Sequence, residues 1–471
     1  MDANTTAVSP PRSLWKDIRS AITGTHYDFT KGTLDRSILL LSIPMVLEMA
    51  MESLFGLVDV IFVAQLGQQA AAAVGMTESL ITLIFAVALG LSMATTAVVS
   101  RRIGEKDPDA AAHAAVQSII LGIGISVIVG AAGIVFGPSL LQMMGASEAL
   151  VSVGSGYTRV LLGGSVTVFL LFLINAIFRG AGDAAIAMRV LWLGNLINII
   201  LDPCLIFGLG PFPALGVTGA AVATTTGRGV AVLFQFWELS RHSSRVAIRR
   251  EHIRIDWPLM RHILGIAAGG MFQYLVATAS WVGLWRLMSG FGDAALAGYT
   301  IAIRILVFTI LPSWGMSNAA ATLVGQNLGA KQPDRAESAV WRTGFYNMIF
   351  MSVVSVFFIT IPHHIAGLIT SDPEVQNYAA RCLRYLGFGY PFYAWGMIVV
   401  QAFNGAGDTR TPMIINITCY WLLQIPLASL LAFTVGMAAD GIYLAIAISE
   451  VSLAILGVFA FRRGTWKLRQ V

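Results

Sequence analysis

The sequence is poor in charged residues. Asp, Glu, Lys and Arg make up 12% of its 471 residues, which is about half the share usual in soluble domains. With 56% hydrophobic residues and a mean hydropathy of +0.74, this scarcity excludes a soluble enzyme, a disordered protein and a nucleic-acid-binding protein with a basic face. The net charge of +5 therefore points to topology rather than to an anionic partner, and we expect no nucleic-acid ligand.

Cysteine is also scarce, and catalytic motifs are missing. Cys204, Cys382 and Cys419 lie in apolar stretches and form no CxxC pair, which excludes a disulfide framework. His363 and His364 are adjacent but have no HExxH pattern around them. We therefore expect a protein that is not an enzyme, with no cofactor and no resident metal.

The chain shows no sign of a cleavable secretory signal. Its first 36 residues are polar and mixed, whereas a signal peptide places a short apolar core near the start. The first apolar run begins near Ile38 and is long enough to span a membrane. It is therefore interpreted as a retained transmembrane helix.

Twelve stretches are long and apolar enough to cross a bilayer core of about 30 Å, and backbone groups in lipid require them to be helical. They lie at roughly 38–63, 77–99, 112–136, 151–178, 190–208, 217–239, 262–288, 294–323, 343–361, 376–403, 411–433 and 441–461.

The connections between these stretches alternate in charge. Lys and Arg are absent from alternate connections, and most of the 30 Lys and Arg residues lie in the other connections and in the two termini. The positive-inside rule then predicts that both termini are cytoplasmic, in a multi-pass protein of the cell (plasma or inner) membrane. The connections without Lys or Arg are 65–76, 137–149, 208–216, 290–293, 362–374 and 435–440.

The two halves of the chain repeat each other. RRIGEKDPDAA at 101–111 resembles QNLGAKQPDRA at 326–336, and FRGAGD at 178–183 resembles FNGAGD at 403–408, both at the same offset along the chain. Each half has six spans, so the repeats are parallel and related by an axis along the membrane normal. We expect an all-α integral membrane protein with 12 transmembrane helices in two parallel six-helix bundles.

The expected domains follow from the repeat. They are a cytoplasmic tail (1–37), a first lobe with spans one to six (38–240), a cytoplasmic linker (241–257), a second lobe with spans seven to twelve (258–462) and a second cytoplasmic tail (463–471).

Acidic residues lie inside the first half of the membrane region. Glu48, Glu52 and Asp59 share one face of the first span, because residues four and seven apart lie together on a helix. Asn198 and Asp202 are likewise four apart in the fifth span. Ionisable residues inside membranes are costly and usually functional.

The repeat provides an internal comparison for these acids. At the offset that aligns the two halves, Leu423 and Leu427 occupy the positions equivalent to Asn198 and Asp202. The duplicated fold does not itself require the polar pair, which favours a functional role. Glu450 is the one acid well inside a second-half span, and a structural and a functional role both remain open for it.

In this order and spacing, from about Pro44 to Phe461, the motifs resemble the multidrug and toxic compound extrusion (MATE) family of secondary efflux transporters. The lack of acids in MFQYLVATAS (271–280) and PFYAWGMIVV (391–400) makes the sequence more similar to the DinF-like branch than to NorM-like members. The motifs that carry the resemblance are Pro44 followed by LVDVIFVAQLG (57–67), the GEKDPD and GAKQPD loops, YTRV (157–160), NAIFRGAGD (175–183), NIILDPCLIFG (198–208) and GVTGAAVAT (216–224).

The resemblance implies a cation-coupling site in the first lobe. A carboxylate can bind H⁺, or can hold Na⁺ together with amide and hydroxyl oxygens, so the coupling ion is H⁺ or Na⁺. The residues that match the family's cation site are Asp59, Asn198, Asp202 and Thr224, with Tyr157 and Asn175 as polar residues near it.

Four residues of the first span are candidates for the substrate cavity. Glu48 and Glu52 can attract organic cations, although hydrogen bonding to neighbouring helices is an equal alternative. Met51 and Phe55 flank these acids, and methionine suits adaptable binding surfaces.

The predicted function is secondary active multidrug or organic-cation efflux, by H⁺- or Na⁺-coupled antiport with alternating access between two lobes. The expected partners are small amphipathic or cationic substrates and membrane lipid, and the expected state is a monomer. One alternative is a flippase of the same superfamily for lipid-linked or polysaccharide precursors, although the acidic face argues against an anionic headgroup. An integral-membrane enzyme is a further, less favoured alternative.

Overall fold

The computed structural model describes residues 14–241 and 245–471, with the backbone alone at Leu57, Asp59, Val60, Ile61 and Ala64. The regular secondary structure of these ranges consists of helices. The α-helices are α1 (Leu14–Thr23), α2 (Leu34–Ala64), α3 (Gln68–Gly104), α4 (Pro108–Met143), α5 (Glu148–Gly163), α6 (Ser165–Ala181), α7 (Ala184–Phe207), α8 (Val217–Ser240), α9 (Trp257–Met288), α10 (Asp293–Gly329), α11 (Pro333–Thr360), α12 (Pro362–Gly367), α13 (Pro373–Gly405), α14 (Arg410–Asn416), α15 (Ile425–Ser429) and α16 (Ala439–Arg462).

The helices confirm a polytopic membrane protein. Within the described residues, eleven helical segments are long and apolar enough to cross a membrane. The predicted tenth span is α13, which has 33 residues and is long enough to cross. Its tyrosines, glycines and tryptophan make it less apolar, and it packs between α10, α11 and α16 in the interior of the second bundle.

Two predicted spans are less regular than a single α-helix. The fourth span consists of α5 and α6, separated at Gly164, where an added Cβ would come within 2.6 Å of the Thr225 side chain. The eleventh span contains two π-helical stretches, π1 (Ile417–Gln424) and π2 (Leu430–Thr434), on either side of α15. Single π turns inside helices often occur at functional sites, and the sequence pattern predicted neither irregularity.

The internal repeat is visible in the backbone. Lys106 and Lys331 are equivalent positions of the two halves, and both adopt positive φ angles, of 64° and 58°. Gly182 and Gly407 are equivalent at the same offset, with φ angles of 88° and 83°. Non-glycine residues rarely adopt positive φ, so the shared strain at the two lysines supports the parallel relationship of the two bundles.

Each bundle has its own apolar core. In the second bundle the largest core cluster is built around Tyr299, Tyr390 and Tyr443, all almost fully buried. In the first bundle a cluster around Phe169 and Leu91 continues onto Ile263 and Ala267 of α9, so the two bundles also pack on each other. The predicted boundaries of the lobes, with the linker at 241–257 between α8 and α9, stay a prediction.

Candidate functional site

Three of the predicted cation-site residues form one buried polar cluster, here called the first-bundle cluster. It consists of Asn198 and Asp202 on α7 and Thr224 on α8, which are 2%, 0% and 9% exposed. With its amide oriented to satisfy both neighbours, Asn198 donates to Asp202 Oδ2 at 3.0 Å. Its oxygen accepts from Thr224 Oγ1 and from the Thr224 backbone N–H, each at 3.0 Å. Asn198 thus links the carboxylate on one helix to the hydroxyl on the next.

A close crossing of α7 and α8 brings this cluster together. A Cβ on Gly227 would lie 2.5 Å from the Gly194 carbonyl oxygen and 3.3 Å from Asn198 Cβ, so glycine is needed for the helices to approach. Gly227 follows Thr224 by one helical turn, and Gly194 precedes Asn198 by one turn. Pro203, directly after Asp202, lacks an N–H and removes one backbone hydrogen bond from this part of α7.

The other predicted members of the cation site lie in different surroundings. The side chain of Asp59 lies outside the described residues. Tyr157 on α5 is 5% exposed and belongs to the apolar core of the first bundle. Asn175 on α6 is also buried, but its hydrogen bonds go to Glu48 and Gln235.

Asn175 belongs to a second buried polar group, between α2, α6 and α8. Glu48 is 2% exposed, and its Oε1 lies 2.7 Å from Arg179 Nη1 and 3.3 Å from Asn175 Nδ2. Gln235 Nε2 donates to Asn175 Oδ1 at 2.8 Å. The Glu48 carboxylate is therefore held by an ion pair inside the first bundle.

The remaining candidates on α2 lie away from the apolar cavity of the second bundle. Glu52 Oε2 accepts a hydrogen bond from Asn195 Nδ2 at 3.3 Å. Asn195 lies one turn of α7 before Asn198, so Glu52 contacts α7 next to the first-bundle cluster. Met51 and Phe55 are half-buried. None of Glu48, Glu52, Met51 and Phe55 lines the cavity described next.

A cavity of about 480 Å³ lies mainly in the second bundle, with α3 of the first bundle along one side. Its walls are aromatic and amide-rich, and no Asp, Glu, Lys or Arg occurs among the described residues that line it. The principal lining residues are Met93, Gln273, Tyr274, Trp281, Trp314, Tyr393, Met397, Gln401, Asn404, Asn416 and Tyr420.

Amide side chains form a connected network along this cavity. Gln273 Nε2 donates to Asn404 Oδ1 at 3.0 Å, and Asn404 Nδ2 donates to Gln401 Oε1 at 2.7 Å. Gln401 Nε2 donates in turn to Asn318 Oδ1 at 3.1 Å. The network fixes the direction of each amide, which allows it to offer donors and acceptors to a bound molecule.

Neither this cavity nor the basic partner of Glu48 is predicted from the sequence. Trp281, Trp314 and Tyr393 lie inside three different predicted spans of the second half. Large aromatic residues that recur in this way are a sequence signal for an aromatic-lined cavity. Arg179 lies where a predicted span meets a basic connection, and its separation of 131 residues from Glu48 gives no sequence sign of their contact. Within the described residues, no group of three or more His, Cys, Asp and Glu could hold a metal ion.

The two bundles are hydrogen-bonded to each other at the end that carries the basic connections, here called the basic end. Thr322 Oγ1 on α10 donates to the Arg179 carbonyl oxygen at 3.1 Å. Gln326 Nε2 donates to the Gly180 carbonyl oxygen at 2.9 Å. Because these bonds join α10 to the end of α6, the bundles are closed against each other at the basic end.

The segment before α2 strengthens this closure. Arg245, which follows α8, donates to the Tyr27 carbonyl oxygen at 3.0 Å. Arg335 on α11 donates to the carbonyl oxygens of Lys31 and Gly32, both at 2.9 Å. One short segment of chain is therefore held by one arginine that follows α8 and by another on α11.

Comparisons with known proteins identify the class. The MatE family model matches residues 44–204 and 271–430, one match in each half of the chain. The chain therefore belongs to the MATE family, and it is a multi-pass membrane transport protein rather than an enzyme.

Relatives match along nearly the whole chain. The chain is 25% identical to the probable multidrug resistance protein NorM of Thermotoga maritima, over 93% of this chain and 94% of that protein. It is 26% identical to the FAD transporter of Shewanella oneidensis, over 93% and 96%. A solved outward-facing multidrug resistance MATE transporter superposes with a TM-score of 0.87 at 28% identity, covering 93% of this chain and 97% of that one. The likeness supports efflux of small molecules, and closeness to the DinF-like branch stays a prediction.

Proposed function

We propose that the protein exports amphipathic or cationic small molecules by antiport with H⁺ or Na⁺, through alternating access between its two bundles. The observation that carries this proposal is the first-bundle cluster. A carboxyl that is 0% exposed is tied through an amide to a neighbouring helix, and such a group is costly unless its charge is used or compensated.

The Asn198 amide provides a way to sense ion binding at Asp202. An ionised carboxylate accepts the amide N–H, as the geometry has it. A bound Na⁺ instead requires an amide oxygen on that side, and a protonated Asp202 can donate its O–H to one. Turning the amide withdraws its oxygen from Thr224 on α8, so ion binding changes the contact between two helices. Asp59, one of the residues to which the family resemblance assigns the cation site, is proposed as a second carboxylate of this site.

The large cavity suits the proposed substrates. Trp281, Trp314 and the nearby tyrosines offer aromatic faces, which attract organic cations through their π-electrons. The amides fix polar groups of a substrate without requiring a formal charge. Glu48, Glu52, Met51 and Phe55 stay proposed substrate contacts of another conformation, since Arg179 engages Glu48 here.

The closed basic end defines the proposed direction of transport. The basic connections predict that this end is cytoplasmic, in the plasma or inner membrane, and we propose that the protein acts as a monomer. The coupling ion then enters from the outside, while the cytoplasmic side is sealed. A coupling ion can shift such an equilibrium only by binding the two states unequally.

The test is efflux of a fluorescent organic cation from proteoliposomes that contain the purified full chain. Efflux driven by an imposed pH gradient supports H⁺ coupling, and efflux driven only by a Na⁺ gradient supports Na⁺ coupling. No efflux under either gradient, with transbilayer movement of a fluorescent lipid-linked sugar instead, overturns the proposal in favour of a flippase. Counterflow without a gradient separates a carrier from a channel, and chemical analysis of the exported molecule detects an enzyme.

Export of a flat aromatic metabolite is a second candidate. The Shewanella relative is named an FAD transporter, and the cavity here combines tryptophan faces with amide donors and acceptors. Loading the same proteoliposomes with FAD tests this candidate directly. Gradient-dependent loss of FAD supports it, and retention of FAD beside export of the organic cation excludes it.

A further inference from the structure

Glu450 is a buried carboxyl that the first-bundle cluster does not use. It lies in the middle of α16, is 6% exposed, and its Oε2 has no hydrogen-bond partner among the described residues. The described residues also provide no ion pair to it. An ionised carboxylate without a partner is very unfavourable in such a place, so the uncharged, protonated form is the one that fits this site.

The surroundings of Glu450 are aromatic and carry no opposite charge. A Cβ on Gly389 of α13 would lie 3.1 Å from Glu450 Oε2, so the carboxyl packs directly against the backbone of α13. The described titratable groups close enough to feel its charge are Tyr299 on α10, Cys382, Tyr390 and Tyr393 on α13, and Tyr420 on π1.

The charged pair closest along α16 lies away from Glu450. Asp440, near the start of α16, forms an ion pair with Arg381 of α13. It lies ten residues before Glu450, nearly three helical turns away. Glu450 therefore has neither a cation nor a second carboxylate to share a proton with in its immediate surroundings.

Two of the tyrosines near Glu450 also face the large cavity. The side chains of Tyr393 and Tyr420 lie close together, and both line the cavity. Leu453, one turn after Glu450 on the same face of α16, lines it as well. The tyrosine pair thus lies at the cavity wall, close enough to Glu450 to feel its charge.

We propose that Glu450 is a proton-binding site of the second bundle, which exchanges its proton with the cavity by way of the Tyr393–Tyr420 hydroxyl pair. In each step a tyrosine hydroxyl accepts a proton on its oxygen and releases its own, so that no tyrosine changes its net charge. The site would give the second bundle a titratable group of its own, although the cluster equivalent to Asn198 and Asp202 is replaced there by leucines. Use of this proton in transport rests on the proposed function, whereas its binding does not.

The test is infrared spectroscopy of the purified full chain in lipid nanodiscs, transferred from H₂O to D₂O at neutral pH. The carbonyl stretch of a protonated carboxyl shifts as deuterium replaces the proton. We expect the wild-type spectrum to contain one such band that is lost in Glu450→Gln and retained in the control Glu374→Gln, an exposed acid at the start of α13. An identical set of carboxyl bands in the wild type and Glu450→Gln would overturn the proposal.

The route and the link to transport are tested with further variants. Tyr393→Phe and Tyr420→Phe should slow deuterium exchange of the Glu450 band, and Tyr378→Phe, on the same helix α13 but outside the cavity lining, should leave it unchanged. Exchange at the wild-type rate in both of the first two variants would overturn the route. Asp202→Asn should keep the Glu450 band even if it abolishes coupled efflux, so failure of the efflux hypothesis and failure of this proposal give different results.

Discussion

Asn198 donates to Asp202 Oδ2 at 3.0 Å from one helical turn away, so these two side chains of the first-bundle cluster are joined within a single helix. The contacts between Asn198 and Thr224 instead cross to α8. A change in the charge of Asp202 is therefore passed to Asn198 on the same rigid helix and then to the interface between α7 and α8. This arrangement connects an ion-binding event to the packing of two helices.

Removal of the Thr224 hydroxyl should weaken ion coupling without removing any carboxylate. Thr224→Val keeps the shape of the side chain but leaves Asn198 without one partner. Loss of one hydrogen bond from a buried group costs about 1–3 kcal/mol, so we expect apparent affinity for the coupling ion to fall about tenfold. The measurement is the ion-concentration dependence of efflux. Thr226→Val, an exposed position on the same helix, is the control, and equal affinities in the two variants would contradict a role for Thr224.

Loss of the Glu48 carboxylate should destabilise the first bundle. Glu48→Ala leaves Arg179, whose side chain is 11% exposed, without its partner, and breaking a buried ion pair from one side costs about 3–5 kcal/mol. We expect a clearly lower midpoint of thermal unfolding in detergent. Glu52→Ala, which loses one 3.3 Å hydrogen bond at a half-buried position, should cost much less. Equal stability losses in the two variants would show that the Glu48–Arg179 ion pair stabilises the fold no more than the Glu52 hydrogen bond does.

Bulk at Gly325 should open the basic end. A Cβ on this residue would collide with the Ser100 side chain on α3, so Gly325→Ala should push α10 away from α3. We expect a longer distance between spin labels at the basic ends of these two helices. Gly265→Ala on α9, where an added Cβ meets nothing within 4 Å, is the matched control. Unchanged label distances in Gly325→Ala would show that the Gly325–Ser100 contact does not help to close the basic end.

Truncation of Trp314 should weaken substrate binding in the large cavity. Loss of one aromatic face removes about 0.5–2 kcal/mol of stacking and cation–π attraction, which corresponds to a loss of up to about thirtyfold in affinity. The check is fluorescence titration of the organic cation against Trp314→Ala. Trp285→Ala removes a tryptophan of α9 that is 47% exposed and outside the cavity, and equal affinity for both variants would place the substrate elsewhere.

Acid should weaken the contacts that hold the segment before α2. Burial raises the pKa of Asp28, but hydrogen bonds from Lys106 and Thr30 outweigh it and lower the pKa from 3.8 to about 2. Because the folded pKa is below the unfolded value, the stabilisation is present above about pH 4 and is lost as pH falls towards 2. The side chains of Lys106 and Asp28 are 58% and 35% exposed, so the pair contributes less than about 1 kcal/mol.

Hydrogen exchange can detect the loss of the Asp28 contacts. The Thr30 amide donates to Asp28 Oδ1 at 3.0 Å, whereas the Lys31 amide donates to the Asp28 backbone carbonyl and provides an internal reference. The Thr30 amide should exchange faster relative to Lys31 as pH falls below about 4. A constant ratio across this range would contradict the assignment.

Much of the architecture could be predicted from the sequence, because it depends on patterns within single segments. Apolar runs, alternate basic connections and the repeated loop motifs define the spans and the two bundles. The four-residue spacing of Asn198 and Asp202 placed them on one face of a helix, and the helical structure agrees. The family resemblance added Thr224, which the structure brings to Asn198.

What the sequence could not predict depends on contacts between distant segments. The pairing of Glu48 with Arg179 joins residues 131 positions apart, and no periodicity reports it. The break at Gly164 accompanies a close approach to Thr225 of α8, and no feature of the apolar pattern marks the π-helical course of 417–424. The amide network around Asn404 requires residues from three helices to converge, so the apolar pattern of each helix alone hides it.

The most direct test of ion coupling compares gradient-driven efflux with counterflow for wild type and Asp202→Asn in the same proteoliposomes, with Asp59→Asn measured in parallel. The exposed Asp293→Asn controls for loss of a carboxylate as such. We expect Asp202→Asn to lose the response to the pH or Na⁺ gradient while it retains counterflow of the organic cation. Gradient-driven efflux at the wild-type rate by a well-folded Asp202→Asn variant would contradict it.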